Sequence, residues 1–188
     1  YIAPKVWAWN KSRLSKIKKY IDSLLVIFPF EVDFFKKHKI DAIYVGNPLV
    51  YYINKFKSNK LNIFKKNIIA LLPGSRKQEI TKILPIMLSV SSYFKKYQFI
   101  IAGISDFGND FYESFVNCDN IEIRYDSTYS LLSESKFALV TSGTATLEVS
   151  LFNIPQIVCY KTDWMTYLFA KLLVKIKFIS LVNIILNK

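Results

Sequence analysis

The chain has 188 residues, of which 52% are hydrophobic and 16% are aromatic. This length and composition support a packed core in one domain or two small ones, which excludes an intrinsically disordered protein. The 26 Lys and Arg against 14 Asp and Glu give a formal net charge of +12, which suits an anionic partner: a phosphorylated substrate, a nucleic acid or an acidic membrane surface.

Seven short runs of apolar and β-branched residues recur along the chain, and longer stretches with helical spacing separate them. The runs are SLLVIF (23–28), AIYVG (42–46), NIIALLPG (67–74), QFIIAG (98–103), IEIRY (121–125), FALVTSG (137–143) and PQIVCY (155–160). This alternation is typical of α/β folds with parallel sheets. It therefore predicts an α/β protein in which helices flank the sheets.

The stretch 47–66 separates the first two runs from the other five. It begins with Asn47-Pro48, is rich in Lys and Asn, and has no clean period, so we predict an interdomain linker there. On this interpretation, residues 1–46 are the C-terminal part of a first α/β domain and residues 67–188 are most of a second. The chain has no initiator methionine or signal peptide, and we expect it to be a fragment.

The segment ALLPGSRKQEI (70–80) runs from an apolar stretch into a segment with helical spacing. Gly74, Ser75 and Arg76 follow a predicted strand, and open α/β sheets bind ligands at the carboxyl ends of their strands. A helix N-terminus and a guanidinium both attract an anion. The alternative is an ordinary turn, in which Gly74 takes a positive φ and Ser75 caps the helix.

The next segment has apolar side chains at the spacing of one helix face. These residues are Ile80, Ile83, Leu84, Met87 and Leu88. Their i, i+3, i+4 pattern predicts an amphipathic helix. Pro85 is expected to kink this helix or to start a second one.

A second candidate loop, VTSGTATLEVS (140–150), follows the sixth run. Its small residues would let a phosphate approach the backbone N–H groups of 143–146 closely. The candidate residues are Ser142, Gly143, Thr144, Ala145, Thr146 and Glu148. The alternative is again a capped helix, with Thr144 as the N-cap and Glu148 favourable to the helix dipole. Together, two such loops in one domain favour a nucleotide diphosphate, which needs two donor surfaces.

Several other kinds of site are disfavoured. The chain contains neither G-x-G-x-x-G nor G-x-x-x-x-G-K-[ST], which argues against NAD-dependent and P-loop chemistry. Cys118 and Cys159 have no CxxC spacing, so neither a disulfide framework nor a zinc site is expected, and a reducing compartment is the simplest interpretation. His38 is the single histidine and lies on a polar helical face, so we do not expect histidine-dependent catalysis.

Six motifs, in this order and spacing, carry a resemblance that covers essentially the whole chain. They are YIAPKVWAW, PFEVDFF, VGNPL, LLPGSRKQEI, SGTATLE and SLVN. The chain resembles the lipid-A-disaccharide synthases, which are inverting glycosyltransferases of the GT-B fold. The resemblance implies two Rossmann-like domains with parallel sheets and flanking helices, of which the first is incomplete here.

The resemblance also implies a reaction. The family transfers 2,3-diacylglucosamine from UDP to the 6-hydroxyl of 2,3-diacylglucosamine 1-phosphate and releases UDP, without a metal or another cofactor. It places the loops of Arg76 and of 142–146 around UDP, Glu148 at the ribose hydroxyls and Asn183 near the reacting sugars. Arg76 would stabilise the charge that develops on the β-phosphate, so Arg76 and Asn183 are the expected catalytic residues.

The family's general base lies upstream of Tyr1, so it cannot be named here, and we expect residues 1–188 alone to be inactive. The expected partners are a UDP-sugar donor, an acylated sugar phosphate acceptor and the anionic inner face of the cytoplasmic membrane, with no nucleic acid. No apolar run reaches the ~18 residues that span a bilayer. The stretch 164–186 suits either a helix on the membrane surface or one buried against its domain.

Two alternatives stay open at this point. The chain could belong to another metal-free GT-B UDP-sugar transferase or epimerase. It could also be a basic module that binds anions without catalysis, and its affinity would then fall steeply with salt.

Overall fold

The computed structural model describes residues 3–7, 12–59, 65–116, 118–161 and 181–186. Residues 3–52 and 183–186 belong to one compact unit, and residues 53–161 with 181–182 belong to a second. The helices are α1 (Arg13–Tyr20), α2 (Pro29–Lys37), α3 (Pro48–Ser58), α4 (Lys77–Leu88), α5 (Asn109–Glu113), α6 (Thr128–Glu134), α7 (Ala145–Leu151) and α8 (Leu181–Leu186). Single 3₁₀ turns lie at Ser91–Tyr93 and Ser105–Phe107.

The first unit contains a parallel pair of short strands, β1 (Leu25–Val26) and β2 (Ile43–Tyr44). Its core is formed by buried apolar residues from β1, from α1 and α2 and from the connecting segments. Helix α2 begins at Pro29, and the buried Glu31 caps it, because its Oε2 accepts the N–H of Phe28 at 3.0 Å. This is the packing expected where a helix covers one face of a parallel strand pair.

Helix α3 occupies most of the stretch in which the sequence shows no clean period. The side chain of Asn47 accepts the backbone N–H of Leu49 at 3.0 Å, and Pro48 stands at the first helical position. An Asn N-cap followed by proline is a helix start signal, although the same dipeptide also favours turns. The boundary between the two units falls within this helix, after Tyr52.

The second unit is built on a five-stranded parallel sheet. Its strands are β3 (Ile68–Leu72), β4 (Gln98–Gly103), β5 (Ile121–Tyr125), β6 (Phe137–Thr141) and β7 (Gln156–Cys159). Their order in the sheet is β5-β4-β3-β6-β7. All seven strands in the described part of the chain fall within the predicted runs, and all pair in parallel. The prediction of a parallel α/β fold is therefore confirmed.

Strand β3 is buried on both faces of this sheet. Ile68, Ala70 and Leu72 pack into one apolar cluster with residues of α3, α6 and α7. Ile69 and Leu71 pack into a second cluster with residues of α4 and α5. Helices thus cover both faces, which explains why this strand is continuously apolar.

Helix α4 runs through Pro85 without ending, so the expectation that a second helix starts there is wrong. An interior proline costs about 3 kcal/mol. Burial of Met87 and Leu88 beyond it, at about 1.5–3 kcal/mol each, offsets that cost, and both side chains are buried. All five residues of the predicted apolar face are buried, which confirms the amphipathic pattern.

The predicted amphipathic stretch 164–186 lies outside the described residues, except for α8. No helix in the described part of the chain is both long enough and apolar enough to cross a membrane.

Candidate functional site

A cavity of about 460 Å³ opens at the carboxyl edge of the five-stranded sheet. The chain passes from β3 to β4 and β5 on one side, and then returns to place β6 on the other side of β3. The connections after β3 and β6 therefore leave the sheet in opposite directions, which creates the crevice where doubly wound sheets bind ligands. Both candidate loops line this cavity.

The first loop presents Gly74, Ser75 and Arg76 to the cavity. Gly74 has a φ of +118°, and a Cβ at this position would lie 2.8 Å from Oε2 of Glu79. The positive φ agrees with the expectation for this turn. Only glycine avoids both the strain and the close approach.

Ser75 does not cap α4, so this part of the ordinary-turn alternative is wrong. The N-cap residue is Arg76, which has an extended conformation and whose side chain makes no capping hydrogen bond to the helix backbone. Because Ser75 lies one residue too early, the first N–H groups of α4 have no side-chain cap of the usual kind. The N-terminus of the twelve-residue helix α4 therefore lies at the cavity.

Arg76 is held over this helix end by Glu79. Its Nη1 donates to Oε1 of Glu79 at 3.1 Å, and the two side chains are 78% and 42% exposed. An exposed pair at i, i+3 contributes only about 0.2–1 kcal/mol. A phosphate can therefore replace the carboxylate at little cost. Sequence reasoning missed Glu79, although its spacing from Arg76 is a pairing signal.

The second loop presents Ser142, Gly143, Thr144 and Ala145 to the same cavity. Thr144 is the N-cap of α7, as the capped-helix alternative expects, but its side chain makes no cap hydrogen bond. Four consecutive residues of this loop thus line the cavity.

Thr146 lies beneath this loop and does not line the cavity. Its side chain is buried, and its Oγ1 donates to the carbonyl oxygen of Gly143 at 2.8 Å. Its backbone N–H donates to the same oxygen at 3.3 Å. Thr146 therefore shapes the turn from below.

Glu148 is half-buried and faces the cavity from the first turn of α7. The hydroxyl of Tyr129 on α6 donates to its Oε1 at 3.2 Å. Burial raises the pKa of the Glu148 carboxyl, and the hydrogen bond from Tyr129 opposes that rise. The site thus holds a carboxylate whose charge is costly and which retains acceptor capacity.

Two further segments, which no sequence motif indicated, also line the cavity. Gly103 ends β4 and Ile104 follows it, and Asp126 and Thr128 follow β5. Asp126 has a φ of +48°, and its Oδ1 accepts the N–H of Ser105 at 3.4 Å. A general signal was available, because these positions lie at the carboxyl ends of two predicted strands, where open parallel sheets bind their ligands.

Asn183 lies in α8 and belongs to the first unit, whereas the described residues that line the cavity all belong to the second. Its expected place near the reacting sugars therefore stays a prediction. Within the described part of the chain, no three His, Cys, Asp or Glu side chains are grouped so as to hold a metal ion.

Comparison with known proteins identifies the family. The family model described as LpxB, lipid-A-disaccharide synthetase, matches residues 1–188. A lipid-A-disaccharide synthase of Acinetobacter baylyi is 36% identical over 100% of this chain and 53% of that protein. One from Helicobacter pylori is 37% identical over 100% and 51%, and one from Syntrophus aciditrophicus is 33% identical over 100% and 52%.

The chain thus spans about half the length of the curated relatives that it matches. The match includes both candidate loops, since it covers the whole chain. The resemblance identified from the six motifs is confirmed: this chain belongs to the lipid-A-disaccharide synthetase family, whose members are GT-B glycosyltransferases.

Proposed function

We propose that the intact protein transfers 2,3-diacylglucosamine from its UDP donor to the 6-hydroxyl of 2,3-diacylglucosamine 1-phosphate. The observation that carries this proposal is the meeting of the loops 74–76 and 142–145 at one cavity, at the reversal of strand order. Relatives that bear the name lipid-A-disaccharide synthase support it. The proposal concerns the whole protein, because this chain spans half of those relatives.

In the proposed complex, the pyrophosphate lies between the two loops. The N-terminus of α4 and the Arg76 guanidinium supply positive charge on one side, and the backbone of 142–145 supplies N–H donors on the other. Arg76 would exchange its exposed partner Glu79 for the phosphate. This exchange is favoured because a pyrophosphate carries more charge than one carboxylate.

The chemistry requires that a base take the proton from the acceptor hydroxyl. The acceptor oxygen then forms a bond to the anomeric carbon as the bond from that carbon to the β-phosphate oxygen breaks, with inversion. The electron pair leaves with UDP, so negative charge grows on the β-phosphate. Arg76 would stabilise this charge in the transition state more than in the ground state, which is the condition for catalysis.

Glu148 is proposed to accept hydrogen bonds from the ribose hydroxyls, which requires its ionised form. Asn183 is proposed to act near the reacting sugars, on the support of the SLVN motif. Residues 67–188 are proposed as the UDP-sugar domain, with 47–66 linking it to the acceptor-side domain.

We also propose a peripheral position on the inner face of the cytoplasmic membrane. The formal net charge of +12 would favour an anionic surface, and both proposed substrates carry acyl chains. Binding to vesicles with and without anionic lipid tests this position, and equal binding to both would contradict it.

The deciding experiment measures UDP release by the intact protein with the monosaccharide phosphate acceptor. UDP-2,3-diacylglucosamine is compared with UDP-N-acetylglucosamine as the donor. We expect release from the diacylated donor alone. Preference for UDP-N-acetylglucosamine would favour another GT-B transferase or epimerase, and no release from either donor would refute the proposal.

A further inference from the structure

Three aromatic rings form a cluster beside the cavity. The aromatic cluster consists of Phe56 on α3, Tyr129 on α6 and Phe152 after α7. Tyr129 lies 5.7 Å from Phe56 and 5.6 Å from Phe152 between ring centroids, and Phe56 lies 5.9 Å from Phe152. Edge-on and tilted packing at these distances is favourable, so two neighbours restrict the Tyr129 ring.

Phe152 is itself fixed at the end of α7. The ammonium of Lys57 lies 5.2 Å from the centroid of its ring and donates to the carbonyl oxygen of Leu151. A cation at the C-terminus of a helix is favoured by the dipole and by the unpaired carbonyls there. The cluster is therefore anchored to the helix that carries Glu148.

The hydroxyl of Tyr129 extends from this cluster to Glu148. Glu148 and Phe152 are four residues apart, so they share one face of the chain around α7. Tyr129 packs against Phe152 with its ring and donates to Oε1 of Glu148 with its hydroxyl, at 3.2 Å. One side chain thus combines an apolar anchor with a polar contact to the cavity wall.

Tyr129 also stands where two cavities meet. A second cavity of about 600 Å³ is lined by Phe56 and Tyr129, and it shares Asp126, Thr128 and Glu148 with the first. Glu148 therefore faces both cavities, and without a restraint its carboxylate could point into either one. A hydrogen bond from a fixed ring removes that freedom.

We infer that Tyr129 is a positioning residue, which binds one oxygen of Glu148 and leaves the other to a hydroxyl of the UDP-sugar donor. The inference rests on the proposed function of the cavity. Neither Tyr129 nor its motif was singled out in the sequence. Its effect reaches the ligand only through Glu148.

The electrostatic surroundings of Glu148 support this role. Arg76, Glu79 and Asp126 line the same cavity, and Lys57 lies beyond the Phe152 ring. Burial raises the pKa of Glu148, while the Tyr129 hydroxyl acts in the opposite direction. Loss of the hydroxyl therefore increases the protonated fraction of Glu148, and a neutral carboxyl is the weaker acceptor.

The experiment compares Tyr129→Phe with wild type in the intact protein. We expect UDP to bind roughly 3- to 10-fold more weakly, the scale for the net loss of one hydrogen bond. The KM for the donor rises similarly, and kcat at saturating donor changes less than twofold. The loss of affinity on acidification begins at a higher pH in the variant than in wild type.

Tyr125→Phe is the matched control. It removes the same atom from a residue four positions earlier, whose buried hydroxyl has no hydrogen-bond partner among the described residues and does not line the cavity. We expect wild-type UDP affinity and an unchanged pH profile. Equal weakening in the control would show a general packing effect and would overturn the inference.

A double-mutant cycle tests whether Tyr129 acts through Glu148. Tyr129→Phe should add less than twofold to the weakening caused by Glu148→Gln. If wild type binds UDP and Glu148→Gln weakens it, but Tyr129→Phe retains wild-type affinity and pH dependence, the positioning role is refuted and the proposed function stands. If wild type does not bind UDP, both are refuted.

Phe56→Leu provides a second variant that loosens the ring without removing the hydroxyl, should Tyr129→Phe fail to fold. We expect a weakening in the same direction but smaller, about two- to fivefold on the scale of partial loss of one hydrogen bond. Unchanged UDP affinity and pH profile in a folded Phe56→Leu would contradict the inference.

Discussion

Two glutamates in the two units of the chain show how burial and acceptor capacity separate a structural carboxylate from a binding one. Glu31 is 2% exposed and accepts from three donors: Trp7 Nε1 at 2.8 Å, Phe28 N at 3.0 Å and Ile27 N at 3.2 Å. Glu148 is half-buried, faces a cavity, and accepts from one donor among the residues that the structure describes, Tyr129. Glu31 has its acceptor sites largely occupied by the protein, whereas Glu148 keeps sites for a ligand.

The comparison gives a general criterion for motifs that contain acidic residues. Both glutamates lie in motifs that carry the family resemblance, PFEVDFF and SGTATLE. A motif match alone assigns them equal weight. The count of donors already satisfied by the protein distinguishes them, because a carboxylate has about four lone-pair sites and each one used internally is lost to a ligand.

The largest effect is expected for Glu31→Ala. It leaves three donors without their acceptor, each at about 1–3 kcal/mol, so unfolding free energy should fall by about 3 kcal/mol or more in urea denaturation. UDP affinity of the folded protein should not change. Glu79→Ala, at an exposed pair, is the control and should cost less than about 1 kcal/mol. A strong loss of UDP binding in folded Glu31→Ala would break the comparison.

Arg76→Ala is expected to lower kcat of the intact protein by roughly 10²-fold, the scale for losing one stabiliser of developing charge. Stability should change little, because its pair with Glu79 is exposed. Lys82→Ala, on the exposed surface of α4, is the control for loss of a positive charge. Wild-type turnover in Arg76→Ala would remove this residue from the mechanism.

Glu148→Gln should weaken UDP binding by roughly tenfold, because a neutral amide replaces a charged acceptor.

The effect of Glu148→Gln on stability has the opposite sign to that of Glu31→Ala. Burial raises the pKa of Glu148 in the folded protein. This carboxyl therefore stabilises folded wild type at pH values below its unfolded-state pKa, and the stabilisation is lost as pH rises through its folded-state pKa. Above this range Glu148→Gln should equal or exceed wild type in denaturation experiments. A clear destabilisation at pH 7 would contradict the assignment.

The smallest effect is expected at a third glutamate, Glu134, which is ion-paired. Its Oε2 lies 3.0 Å from Lys66 Nζ and 3.3 Å from Arg124 Nη1, and the hydrogen bond from Lys66, with that from Arg124, lowers its pKa. Its stabilisation is therefore present above the unfolded pKa and is lost as pH falls through the folded pKa.

Glu134→Gln should cost about 0.5–1 kcal/mol at pH 7, since Lys66 is largely exposed and the pair is screened. The difference from wild type should disappear on acidification below about pH 4, near the ordinary range of a carboxyl. A difference that is independent of pH would show that shape and not charge matters at this position.

Much of the fold was predictable because strand burial is a local property of the sequence. Strands such as Ile68–Leu72 and Phe137–Thr141 are apolar runs between polar segments, and helices follow them at a regular interval. Helix α3 escaped detection because Asn47-Pro48 favours a turn as well as a helix start. Pro85 does not start a second helix, because its local cost is outweighed by burial further along α4.

The candidate site was predictable in outline and not in its partners. Gly74 and the loop 142–145 could be found because they follow strands. The bond from Tyr129 to Glu148 joins residues 19 apart in the chain, and nothing in the spacing specifies it. The same holds for Asp126, whose place depends on which strand lies beside β4.

The amino-acid sequence by itself determined the strands, the helix faces and the family of this chain, because hydrophobic periodicity and motifs depend only on residues that are close together in the chain. Only the tertiary structure decided that β6 lies beside β3 and not beside β5, which brings two distant loops to one cavity. Strand order depends on which long-range pairings bury the most apolar surface together, and no single segment carries that information.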